Sequence, residues 1–374
     1  MPLTHDMLLA SNRQETYPYI IAYCPNNTLE SYYYEPTTNQ LFQTDTYTGD
    51  DVIGGYNTEN VIVSVATTYY TTNTGRLFFV ATANAAGSNP NTRLTLVSFN
   101  KNGIFSTYYT SNPAYINHPI SNMVCTKEIE YPESSAYVGY RPGTNEIIQR
   151  GYSYSMGYFA NANTVYTDTD IRYHQYIIGS DAIAGDASGD INVCTRSDST
   201  WTTVRANTGM TSAIRYLHPS LKSYLDDGIY GTTSSGIFYW NDGDSILKQL
   251  SVGSGQYTMD YIDTVSGNEE QYIYSGSFDS AIIYVSRQLG TNTTIVLHSS
   301  ISIPYGGVRG VKIFGPGYDI ASGNVHLLAI STYNNVLVYS CNTNGYLTLK
   351  KDYNAGPIGP INSALNEIAI KQAT

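Results

Sequence analysis

GNVHLLAISTYNNVLVYSCNTNGYLTLKKDY, Gly323–Tyr353, is the stretch whose reading decides the fold. It holds three runs rich in apolar, β-branched and aromatic residues: Val325–Thr332, Val336–Cys341 and Tyr346–Tyr353. Tyr333-Asn334-Asn335 and Asn342-Thr343-Asn344-Gly345 separate them, and Asn and Gly tolerate the positive φ of tight hairpins. Neither link can hold a crossover helix, so the runs form an antiparallel meander.

Working outward, the same meander recurs with altered spelling, each copy preceded by one more apolar strand that would lie innermost. Such units cover roughly 7–48, 59–110, 121–169, 174–216, 219–252, 257–303 and 307–353, a spacing of about 50 residues that suits propeller blades. The predicted fold is all-β: a single seven-bladed β-propeller of four-stranded antiparallel blades spanning residues 1–374. A terminal strand closes it, either Asp6–Asn12 or the cleanly alternating 364–371. Closure into a ring removes exposed sheet edges across the molecule. A pair of β-sandwiches is the competing arrangement, because it too gives short strands and regular turns.

Composition agrees. Charged residues are 13% of the chain, and 37 tyrosines among 374 residues suit strands with one wet end. The net charge of −11 argues against a nucleic-acid partner, which needs a basic footprint. No run of about 18 apolar residues occurs, so no transmembrane segment is expected. The chain opens without a cationic leader and apolar stretch, which predicts the cytoplasm or export without a secretory signal. Four scattered cysteines, Cys24, Cys125, Cys194 and Cys341, read as reduced, strand-buried thiols.

Three constellations could carry chemistry. His118, His174 and His218 each stand near the predicted start of an inner strand in three consecutive units. On a propeller they would line one mouth of the axial channel, where imidazoles bind a metal or act as general base. A histidine before proline, as at His118 and His218, also simply marks a turn. The loop Asp181-x4-Asp186-x3-Asp190 has oxygen ligands around a glycine, but it lacks the further acids and distal Glu of a calcium loop. Asp186 and Asp190 therefore read as turn residues before metal ligands, and nothing calls for a cofactor. The third constellation is aromatic. Most tyrosines serve packing between blades, and the remainder would leave shallow aromatic grooves. Arg141 with Glu146, Arg196 with Trp201, Trp240 with Asp242, and Arg287 add a charge or ring at a hairpin. Such mixed pockets fit a glycan or other neutral polyhydroxyl ligand.

LLAISTYNNVLVYSC (327–341) and AYVGYRPGTNEIIQRGY (136–152) resemble blades of the β-propeller lectins of the fungal fucose-binding type. That resemblance implies sugar pockets built from a strand Arg, a Glu on the next strand and an aromatic wall. Arg141, Glu146 and Tyr152 fall in comparable positions, while most of the family's tryptophans are missing. Lactonase-like seven-bladed propellers are similar in length and place acids and histidines on the axial face. Three functions follow as expectations: a multivalent carbohydrate binder; an axial-site hydrolase, lactonase or lyase using His118, His174 and His218; and a structural or protein-interaction propeller. Repeated Tyr-rich units without a catalytic motif put the carbohydrate binder first.

Overall fold

The computed structural model describes residues 16–24, 28–35, 37–48, 60–72, 75–84, 92–100, 102–107, 114–116, 121–127, 134–141, 146–153, 158–159, 163–167, 171–176, 181–197, 200–206, 209–210, 212–219, 228–241, 246–253, 256–263, 270–277, 279–289, 294–319, 324–332, 334–355 and 367–371. Among them there is no helix. They form seven antiparallel sheets, taken here in chain order.

Sheet 1 holds β1 (Thr16–Cys24), β2 (Thr28–Glu35) and β3 (Gln40–Thr48). Sheet 2 holds β4 (Asn60–Thr72), β5 (Gly75–Asn84), β6 (Thr92–Phe99), β7 (Phe105–Thr107) and β8 (Ala114–Ile116). Sheet 3 holds β9 (Ser121–Lys127), β10 (Ser134–Arg141), β11 (Glu146–Ser153), β12 (Tyr158–Phe159) and β13 (Asn163–Thr167). Sheet 4 holds β14 (Ile171–Tyr176), β15 (Asp181–Asp186), β16 (Ile191–Ser197) and β17 (Thr200–Ala206). Sheet 5 holds β18 (Ile214–Pro219), β19 (Gly228–Thr233), β20 (Gly236–Asn241) and β21 (Ile246–Leu250). Sheet 6 holds β22 (Gln256–Asp263), β23 (Glu270–Ser277), β24 (Ile282–Leu289) and β25 (Val296–Ser302). Sheet 7 holds β26 (Gly310–Asp319), β27 (Asn324–Ser331), β28 (Asn335–Asn342) and β29 (Leu347–Asn354). The last strand, β30 (Glu367–Lys371), returns to pair antiparallel with β1 and completes sheet 1.

Within each sheet the strands pair in sequence order. The first strands lie side by side: β4 against β9, β9 against β14, β14 against β18, β18 against β22, β22 against β26, and β26 against β30 and β1. In sheets 2 to 7 they are therefore the inner strands, and in sheet 1 β30 lies inside β1. Sheets 2 and 3 each carry a fifth strand, because β8 joins β7 beside β6 and β13 joins β12 beside β11.

β28 shows why the sequence folds this way. Seven of its eight residues are buried, so it reads as a continuous apolar run with both faces covered. Period two divides it. Val336 and Val338 pack with Leu327, Ala329, Tyr32, Tyr34 and Leu41, joining sheet 7 to sheet 1. Leu337, Tyr339 and Cys341 face the other way, onto Tyr272, Tyr274, Ile283 and Val285 of sheet 6. Buried tyrosines also bond across sheets: Tyr274 Oη lies 2.6 Å from Cys341 Sγ, and Tyr230 Oη donates to Gln288 Oε1 at 2.8 Å.

The sequence of the fourth and fifth units predicts inner strands at 174–184 and 220–226, and here the structure differs. The run 174–184 splits into the end of β14 and most of β15. The inner strand of sheet 5 is β18; the segment 220–226 lies outside the described residues, as does Asp6–Asn12.

Candidate functional site

One contact singles out the space between the inner strands. Lys312 of β26 donates from Nζ to the Tyr216 hydroxyl of β18 at 2.9 Å, and the ammonium lies 5.6 Å from that ring's centroid. The two strands belong to sheets 7 and 5, so the side chains meet past the inner strand of sheet 6. Tyr216 also packs at the edge of the sheet 5–sheet 6 core with Tyr230, Tyr239 and Ile273, which fixes its ring. With the phenol oxygen accepting from the ammonium, its own proton can be donated elsewhere. A fixed cation beside a hydroxyl donor is an arrangement that stabilises negative charge developing on oxygen.

His218 follows Tyr216 by two positions in β18 and is the register partner of Tyr230. His174 lies in β14, the neighbouring inner strand, opposite Ala184. Both histidines are inside their strands rather than before them, the fourth of six residues in IRYHQY and the fifth of six in IRYLHP. His118 lies outside the described residues. Sequence reading passed over Lys312 and Tyr216, and the alternation within β18 around Tyr216 and His218 was the signal available.

A second polar-aromatic cluster occupies the rim between sheets 6 and 7. His298 of β25 meets Tyr272 edge to face, ring centroids 5.5 Å apart, and Tyr346 at a tilt, 4.8 Å apart. It is the extra residue of a β-bulge: Val285 pairs with Ser299 and Ser286 with Leu297, so nothing on β24 stands opposite His298. Arg287 is the register partner of Tyr272. At the other end of the same sheet face, Asp352 accepts from Tyr305 Oη at 2.6 Å and from Asn335 Nδ2 at 2.8 Å. The bond to Asp352 holds the Tyr305 phenol above its ordinary range. Burial, with a smaller push from Asp352, raises Tyr339 to about 12. Burial likewise raises the Cys341 thiol to about 12, against the bond from Tyr274.

The hairpin pairs divide. Arg141 faces Glu146 directly in register, and Arg196 faces Trp201. Tyr152 is the partner of Ser135, six residues along β11 from Glu146 and so about 20 Å away at strand rise. Trp240 is only 4% exposed and packs with Ile191, Met210, Ile214, Leu217 and Phe238 in the core between sheets 4 and 5. Its indole therefore does not wall an open groove, and Asp242 lies outside the described residues. Asp186 is 1% exposed and its Oδ1 accepts from Ser188 N, Ser188 Oγ and Asp190 N at 2.9, 2.7 and 2.9 Å. That carboxylate oxygen closes a turn. Among the described residues no group of three or more His, Cys, Asp or Glu is placed to hold a metal ion, and no helix is long and apolar enough to cross a membrane.

No protein-family description matches the chain, and no curated protein matches it. Solved structures do. A candidate 6-phosphogluconolactonase from Bacteroides uniformis superposes with a TM-score of 0.65 at 13% identity, covering 93% of this chain and 99% of its own. A protein from Lactobacillus plantarum gives 0.63 at 12% identity, with 93% and 98% covered. Sqt1 from Chaetomium thermophilum gives 0.54 at 9% identity, with 80% and 74% covered. The fold is propeller-like. At these identities the likeness concerns the backbone architecture alone.

Proposed function

We propose that the chain is a single closed seven-bladed β-propeller whose axial channel carries a hydrolytic site for a lactone or a related sugar ester. The observation that carries this reading is the Lys312–Tyr216 contact across the inner strands. The seven sheets, the pairing of β30 with β1 and the shared core of sheets 1 and 7 support the ring. The Bacteroides uniformis neighbour supports the reaction class, and none of the three neighbours reported above is described as a sugar binder. That favours axial chemistry over the multivalent carbohydrate binder expected from the sequence.

In this reading an imidazole, His218 or His174, takes a proton from water as the water oxygen bonds to the lactone carbonyl carbon. The Lys312 ammonium stabilises the oxyanion formed there. The ring C–O bond then breaks, and the leaving alkoxide receives a proton from the Tyr216 hydroxyl, which the imidazolium restores through solvent. No metal or cofactor enters the scheme.

The test is hydrolysis of glucono-δ-lactone and its 6-phosphate at mildly acidic pH, where spontaneous opening is slow. Lys312→Met, and one of the pair His218→Gln and His174→Gln, are expected to lower kcat/KM by about 10²-fold, the scale of one oxyanion donor or general base. A wild-type rate no faster than buffer, for both lactones, would end this reading.

A further inference from the structure

We propose that the end of the inner strands where β14, β18 and β26 begin is a binding site for a small polyanion. Its ligand carries two or more phosphate or carboxylate groups, and Arg172, Arg215 and Arg309 are its cations. The site stands beside the hydrolytic reading and does not depend on it, since neither an imidazole nor a lactone enters it.

The first observation is a break in alternation within β18. Ile214 and Leu217 are three residues apart, yet both are fully buried in the core between sheets 4 and 5. Period two would set them on opposite faces. Register explains the break: Ile214 pairs with Thr233 and Tyr216 with Thr232, so Arg215 is the extra residue of a β-bulge. Tyr216 turns to the core between sheets 5 and 6, while Arg215 is exposed. A bulge re-aims a side chain, and the one re-aimed here is an arginine.

β14 repeats this in sequence and in pairing. It too opens Ile-Arg-Tyr, and Ile171 pairs with Asp186 and Tyr173 with Gly185, so Arg172 is the extra residue. The approach to β26 repeats it in packing. Val308 and Val311 are again three apart and again buried together, in the core between sheets 6 and 7. A Cβ added to Gly185 would meet Ile214 at 2.5 Å, and one added to Gly276 would meet Val308 at 2.5 Å. Ile214 and Val308 therefore hold equivalent places against the preceding sheet, and Arg309, which follows Val308, is the counterpart of Arg215. β22 has the same bulge with Tyr257 in it, since Gln256 pairs with Ser277 and Thr258 with Gly276. The bulge thus belongs to the architecture, whereas the arginine is a choice made in three sheets.

These positions share one end of the strands. β14 lies beside β18, and β22 lies between β18 and β26. The bond from Lys312, third residue of β26, to Tyr216, third residue of β18, sets the starts of those two strands at one level. The chain has only 19 lysines and arginines and a net charge of −11. Gathering like charges in it costs free energy that a bound anion offsets. A guanidinium meets phosphate or carboxylate bidentately, and cations from separate strands suit several anionic groups better than one. Carboxylates stand at this end too. Asp186 is buried and its Oδ1 closes its own turn. Asp190 and Asp279 belong to hairpins after the second strands of sheets 4 and 6, farther from the inner edge.

The experiment is calorimetric titration of the full chain at pH 7 and low ionic strength with pyrophosphate, citrate and acetate. Pyrophosphate or citrate is expected to bind saturably with Kd of about 0.1–5 mM, and which of them binds more tightly separates phosphate-bearing from carboxylate-bearing ligands. Arg215→Gln and Arg172→Gln should each weaken that binding about 10-fold, while Lys350→Gln on β29 leaves it unchanged. If Arg172→Gln fails to fold, the exposed Arg215 decides alone. No saturable heat with either polyanion overturns the proposal. So does binding that both arginine variants leave intact, that Lys350→Gln weakens equally, or that acetate matches in strength.

Discussion

At the scale of single residues, one turn recurs three times and accounts for a motif that looks like metal chemistry. Asn100-x-x-Gly103, Asp186-x-x-Gly189 and Asn342-x-x-Gly345 share a pattern. The first side chain accepts from backbone N–H groups two and four positions on, and the glycine takes φ of +77°, +95° and +77°. In each, the first residue's N–H also donates to the carbonyl four residues later. Asp186 thus repeats the role of two asparagines, and amides at the equivalent positions show that the role needs an acceptor and not a charge. Asp186→Ala should cost about 1–3 kcal/mol by leaving two N–H groups and the Ser188 hydroxyl without their acceptor. Asp186→Asn should recover most of that. Urea melts read both, and a large Asn penalty would restore a role for the charge.

Glycines at positive φ are separable by what surrounds them. Gly345 meets Tyr272, whereas Gly209, at φ +74°, has no heavy atom within 4 Å of its would-be Cβ. Gly209→Ala should therefore cost only the backbone term, about 1–2 kcal/mol. Gly345→Ala adds displacement of a packed ring, worth a further 1–3 kcal/mol or so on the scale of overpacking. Equal melting temperatures for the two variants would show that Tyr272 yields freely.

Elements were legible where alternation was strong and illegible where packing overrode it. All three runs of the Gly323–Tyr353 stretch are strands within a residue or two of where their pattern puts them. The inner strand of sheet 5 was missed because IRYLHP contains a charged residue and ends in proline. Its partners, Thr232 and Tyr230 of β19, are supplied by the chain beyond a segment that alternates better. Trp240 was legible as an aromatic beside an acid, but which face of β20 it occupies depends on register with β19 and β21. That register turns Trp240 toward sheet 4 and Tyr239 toward sheet 6. Trp240→Ala should lose about 3–5 kcal/mol of stability, the range for emptying an aromatic site in a core. A melt unchanged by that substitution would return Trp240 to the list of groove residues.

The buried tyrosines also give sheets 1 and 7 a shared sensitivity to base. Burial raises Tyr34 and Tyr339 from 10.0 to about 12, because the phenolate would have to sit where water is excluded. A raised folded-state pKa means the unfolded chain loses its proton first. The stabilisation is complete below about pH 10 and disappears as pH climbs from 10 toward 12. Urea midpoints should fall steeply across that window, and Tyr34→Phe with Tyr339→Phe should flatten the fall. A slope untouched by both substitutions would show that other groups drive alkaline unfolding.

At the scale of the whole molecule, the repeat was readable in the sequence, but the meeting of Lys312 with Tyr216 was not. Those residues stand 96 positions apart, and it is the packing of β18, β22 and β26 side by side that brings their strands within reach. No local pattern encodes such a contact, whereas a repeat announces itself in every unit. The same side-by-side packing makes sheet 1 the decisive sheet. It touches sheet 2 through Ser31 Oγ donating to Gly103 O at 2.8 Å and Phe105 N–H donating to Asp45 Oδ2 at 2.7 Å. It touches sheet 7 through Tyr32 on Tyr353, ring centroids 5.4 Å apart, and through Lys351 donating to Gln40 Oε1 at 2.8 Å. Between these contacts sits β1, whose inner edge, among the described residues, is paired with β30, through pairs that include Ile20–Ile368 and Thr16–Lys371. Removing residues 362–374 strips that cover and leaves β1 as an open edge beside the apolar inner strand β26. The truncated chain should melt several degrees lower, since a few kcal/mol shift a protein of this size by a few degrees each. It should also run as larger species in size-exclusion chromatography, and a separate peptide carrying Glu367–Lys371 should reverse both effects. A truncated protein that stays monomeric with its melting temperature intact would mean that sheet 1 is held by its neighbours, and that the returning strand adds nothing to its stability.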